Sequence, residues 1–70
     1  MPDDNRYAVR VDNEAAGWSV RILDPRGREV STRACADEAE ARIHASTVRQ
    51  HIYWLSEGKF QQYYRLPESA

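Results

Sequence analysis

Along this 70-residue chain, apolar residues alternate with polar ones in three short runs before residue 36. From Asp37 to about Ser56 they recur every three or four positions. The first run, Arg6 to Asp12, sets Tyr7, Val9 and Val11 against Arg6, Ala8 and Arg10. The second, Trp18 to Leu23, sets Trp18, Val20 and Ile22 against Ser19, Arg21 and Leu23. The third, Glu29 to Ala34, has Val30, Thr32 and Ala34 on one face. Period-two alternation in consecutive runs predicts an antiparallel meander with one buried face. Asp12 to Gly17 reads as the first loop, and Asp24-Pro25-Arg26-Gly27 as a turn, with proline presetting φ and glycine in fourth place. Keeping the apolar sets on one face pairs Val9 with Val20, Ile22 with Val30 and Val20 with Thr32.

The longer period predicts a helix. Asp37 is a favourable N-cap, Glu38 and Glu40 suit the positive first turn, and Glu40 completes a capping box. Gly58 is the expected stop. At about 100° per residue, Ala41, Ala45, Val48, Ile52 and Leu55 form one narrow stripe to lie on the sheet. The aromatic tail from Phe60 to Leu66 alternates again and is expected to add a fourth C-terminal strand. The fold class is therefore α+β: a two-layer domain with a three-stranded antiparallel meander on one α-helix. Residues 1–70 make one small domain, with 1–5 and 67–70 as frayed ends.

Composition narrows the class of function. Charged residues make up 30% and apolar ones 41%, as in a soluble globular chain, and no apolar run reaches the roughly 18 residues of a membrane span. The acidic, polar start differs from a secretory leader, and one cysteine, Cys35, allows no internal disulfide, so a reducing cytoplasm is the expected setting. A net charge of −1 argues against a simple polycation, although nine of the ten basic residues are arginine.

Catalytic chemistry is poorly represented. Cys35 sits between the third strand and the helix, where a thiol can be activated, but no base accompanies it at a convincing spacing. Glu40, His44 and His51 share one side of the helix, yet the two histidines are about 10 Å apart along its axis, too far for one metal ion. The expectation is no enzyme, no cofactor, no metal site and no small-molecule substrate.

Two surfaces remain as candidates. Ile43, Thr47 and Trp54 lie about 140–160° round the helix from its core stripe, where they face either the aromatic tail or another chain. With Phe60 and Tyr63 they are the expected contact residues of a protein-interaction module that binds a partner or itself. The alternative is nucleic-acid binding by Arg10, Arg21 and Arg33. The meander is expected to hold these on its outer face, with Glu29 the one acid among them.

Gly17-Trp18-Ser19-Val20 as second strand, Pro25 and Gly27 in the turn, and Asp37-Glu38-Ala39 opening the helix resemble the HicB-type antitoxins. The resemblance runs from Gly17 to about Leu55 and departs at Ala34-Cys35-Ala36, where that family carries a second glycine. It implies a degenerate RNase-H-like β-β-β-α-β domain, non-catalytic and oligomeric, that shields a small toxin nuclease.

Overall fold

Each alternating run becomes a strand in the computed structural model, which describes residues 5–66. β1 (Ala8–Glu14), β2 (Gly17–Leu23) and β3 (Glu29–Cys35) form an antiparallel meander in the order β1-β2-β3. Two helices follow, α1 (Glu38–Trp54) and α2 (Glu57–Tyr64). The α+β meander-on-helix architecture is present, and none of the described residues forms a fourth strand. The expected fraying of residues 1–4 and 67–70 lies outside the described residues. Asn5, by contrast, is tied down: its side chain donates to Leu55 O at 3.1 Å and accepts from Tyr7 N–H at 3.0 Å.

The first hairpin is tighter than the sequence suggests. Asn13 and Glu14 belong to β1, Glu14 pairs with Gly17, and only Ala15 and Ala16 make the turn. Gly17 closes it at φ 126°, a backbone region that L side chains rarely adopt. The longer strand moves the pairing by two residues: Val9 opposes Ile22 and Val11 opposes Val20. A two-residue shift keeps each side chain on its expected face.

The second hairpin changes faces. Leu23 pairs with Glu29, but Ile22 pairs with Ser31 and Val20 with Arg33, because a bulge interrupts the ladder between Ile22 and Leu23. One extra residue in β3 reverses its parity, so Ser31, Arg33 and Cys35 share the helix-side face with Ile22, Val20 and Trp18. Val30 still packs on the core. The connecting turn is held by Asp24, which is buried and accepts from the backbone N–H of Arg26 and Arg28, each at 2.9 Å. Those backbone donations, the one from Arg28 above all, and the Arg28 guanidinium hold its carboxyl below the usual value.

α1 starts where expected. Asp37 Oδ1 accepts from Glu40 N–H at 2.9 Å, while the Glu40 carboxylate reaches back to Ala36 N–H at 3.2 Å. It ends at Leu55, three residues before Gly58, when Leu55 turns to an extended conformation. Gly58 therefore stops nothing and lies within α2. Ser56 caps α2 by accepting from Lys59 N–H, and Phe60 N–H closes the first turn on Ser56 O at 2.8 Å. The aromatics at 60, 63 and 64 fit helical spacing better than strand spacing: Phe60 and Tyr64 stack one turn apart with ring centroids at 4.8 Å. Arg65 ends the helix in the left-handed region at φ 55°, and Leu66 N–H then bonds Gln61 O.

The core has two parts. Ala41 and Ala45 meet Val20, small residues that let the first half of α1 sit close on β2. Beyond them Tyr7, Ile22, Val48 and Phe60 form a second cluster joined by Ile52, Leu55, Tyr64 and Leu66. Phe60 is fully buried and touches Tyr7, with ring centroids 5.0 Å apart. The tail thus seals the lower core instead of extending the sheet. None of the described helices is long and apolar enough to cross a membrane.

Candidate functional site

The outer face of α1 is the distinctive surface. Successive positions about 100° apart place Ala39, Ile43, Ser46, Thr47, Gln50, Tyr53 and Trp54 on an arc of roughly 120° opposite the core stripe. All seven are exposed and none is charged. On a chain with 30% charged residues, an exposed face without one departs from an ordinary solvated helix. Ile43 and Trp54 are each 69% exposed, Tyr53 82% and Tyr63 62%. These four are the exposed large apolar side chains among the described residues.

α2 frames one side of this face without covering it. His51 Nδ1 and Tyr64 OH are 2.5 Å apart, and the Tyr63 ring lies on the His51 ring with centroids at 4.6 Å. Burial and the neighbouring Tyr63 push the Tyr64 hydroxyl above its ordinary pKa, which keeps it a neutral hydrogen-bonding group. Tyr63 is thus fixed beside the α1 face with its ring largely open. Of the five expected contact residues, Ile43, Thr47, Trp54 and Tyr63 are exposed. Phe60 is not available: it is spent in the core because a helical tail turns it inward beneath α1. Tyr53 was missed, although the same 100° spacing puts it on the uncharged arc.

The outer sheet face is different from its expected form. Arg10 and Arg21 lie there, as the alternation predicts, and the two-residue shift sets them directly opposite each other. Arg33 is on the other side, turned to the helix by the bulge. Asp12, at the end of the expected run, and Glu14, which the two further residues of β1 add, join Glu29 on the outer face. Arg21 pairs with all three carboxylates, through Nη2 to Glu14 at 2.7 Å, Nη1 to Glu29 at 3.0 Å and Nε to Asp12 at 3.2 Å. The last contact is an ion pair out of hydrogen-bond alignment. Desolvation works against the Arg21 charge, but the surrounding carboxylates outweigh it and raise its pKa. Arg10 shares Asp12 at 3.0 Å. Two guanidinium groups against three carboxylates leave no cationic patch at the centre of this face.

The titratable groups near α1 do not converge on a reactive centre. Cys35 Sγ lies 3.9 Å from Arg33 O, which accepts from the thiol. Among the described residues, no group of three or more His, Cys, Asp or Glu is arranged to hold a metal ion. Burial, reinforced by Arg33 across the sheet and opposed by Glu40, holds His44 below its ordinary pKa of 6.5. The folded chain therefore binds fewer protons than the unfolded one just below that pH. Its contribution to stability is complete above 6.5 and is lost as the pH falls through the lowered folded value. Urea titrations should give a lower midpoint at pH 5.5 than at 7.5, and His44→Gln should flatten that difference. An unchanged slope in the variant would assign the effect to another group.

Compared with protein-family models, with curated proteins and with solved structures, the chain matches none of them.

Proposed function

We propose that this chain is a non-catalytic protein-interaction module that works through the outer face of α1, with Ile43, Thr47, Trp54 and Tyr63 as its contact residues and Tyr53 beside them. The observation that carries the reading is the uncovered aromatic and aliphatic strip itself. Four large apolar side chains stand open on one side of a small domain, and surface of that kind is where interface energy concentrates. The reducing setting suggested by a lone cysteine makes the cytoplasm its place of action. An antitoxin-like form, in which the face captures a toxin, draws support from the β-β-β-α order. Where the HicB-type fold has a fourth strand, this chain has a second helix, α2.

Capture of binding proteins from cells that express the chain, compared between variants, tests the proposal. Trp54→Ala is expected to weaken capture at least ~30-fold, as removal of an aromatic anchor worth about 2 kcal/mol would. Arg21→Ala, which alters the opposite face, is expected to leave it within about threefold. Equal capture by wild type and Trp54→Ala would sink the proposal.

A further inference from the structure

We infer that the α1 face receives a second copy of this chain, packed antiparallel about a two-fold axis midway between Val48 and Arg49. The inference rests on the proposed role of this face as an interaction surface and names its occupant. Across such an axis, residues equidistant from the midpoint meet, and each contact occurs twice. Ile43 then meets Trp54 of the second copy, and Thr47 meets its Gln50. The two large apolar residues sit at opposite ends of a face about 17 Å long, at ~1.5 Å per residue, and each end of the pair receives one of each.

The centre is matched in polarity. Thr47 Oγ1 donates its proton to Ile43 O at 3.1 Å, so its lone pairs are left to accept from the Gln50 amide of the other copy. No charge need be desolvated, since the arc carries none. Arg42, at its border, is already paired with Glu38 at 2.7 Å. Antiparallel packing also sets the two helix dipoles in their favourable sense, whereas a parallel pair would oppose them.

The available area suits a dimer. At about 150–250 Å² per aromatic side chain, the exposed parts of Tyr53, Trp54 and Tyr63 come to roughly 300–500 Å² per chain. Ile43 and the central polar residues bring two copies to about the 1,000 Å² at which specific interfaces begin. A domain of this length gains from such a partner, because its own core buries a modest share of its surface.

Sedimentation equilibrium on the full chain tests the pairing with Ile43→Asp, Trp54→Arg and an equimolar mixture of the two. Both positions are 69% exposed, so each variant should fold, which circular dichroism checks. Wild type is expected to dimerise with a micromolar Kd. Each variant alone is expected to raise that Kd about 100-fold or more. The mixture is expected to recover to within about tenfold, because the new carboxylate meets the new guanidinium at one end and the native Ile43–Trp54 contact survives at the other. Wild type that stays monomeric to millimolar concentration overturns the dimer, while leaving the capture experiment to judge the face itself. A dimer indifferent to both variants overturns the dimer on this face. Loss in each variant without recovery on mixing overturns the antiparallel arrangement.

Discussion

Phe60→Ala is expected to cost about 3–5 kcal/mol, which removes most of the stability a chain of this size has. Phe60 is fully buried and lies in one cluster with Tyr7, Ile22 and Val48, residues that come from three other parts of the chain. Truncation leaves a cavity that the Tyr7 and Tyr64 rings, 5.0 and 4.8 Å from it, cannot fill without leaving their own contacts. It also removes the anchor of an eight-residue helix that is too short to persist alone. Urea unfolding followed by tryptophan fluorescence and circular dichroism measures the loss. Phe60→Leu, which keeps most of the volume, should lose no more than about 1.5 kcal/mol. A cost below that for Phe60→Ala would mean that α2 is not seated in the core.

The same substitution at two positions on α1 should give opposite results. Val48→Asp is expected to unfold the domain, because a carboxylate there has an apolar cluster around it and several kcal/mol of desolvation to overcome. Ile43→Asp, five residues earlier and about 140° round the helix, changes a side chain exposed on the single chain, and at concentrations below the dimer Kd it should shift stability by no more than about 0.5 kcal/mol. Thermal melts of the two variants side by side check the contrast. A folded Val48→Asp chain would mean that α1 does not present its alanine–valine stripe to the sheet.

Much of this is legible in the sequence. The stripe of Ala41, Ala45 and Val48 and the uncharged side with Ile43, Thr47 and Trp54 both follow from one helical period. The Asp37 cap marks where that period begins. The tail was misread because an aromatic segment of seven residues satisfies either period weakly. What decides it is Ser56, a cap for a second helix, and the space under α1 that only an inward Phe60 fills. Treating Gly58 as a stop hid that cap. Once a glycine is assigned to the end of one helix, the residues after it are read as a new element.

The candidate nucleic-acid face differs from its expected arrangement for a related reason. Alternation in β3 orders its side chains relative to each other but says nothing about which residue of β2 each one opposes. A single bulged residue between the paired positions turns Arg33 from the solvent face to the helix face. A longer β1 adds Glu14, and the two-residue shift in its pairing sets Asp12 beside Arg21.

By itself the sequence determined the three strands of the meander, the start of α1 and the two faces of that helix, because these depend on spacing within one segment. Tertiary structure alone decided the sheet register, the company Arg21 keeps, the helical tail and the burial of Phe60. Each of those depends on which distant residues meet, and local periodicity carries no term for that.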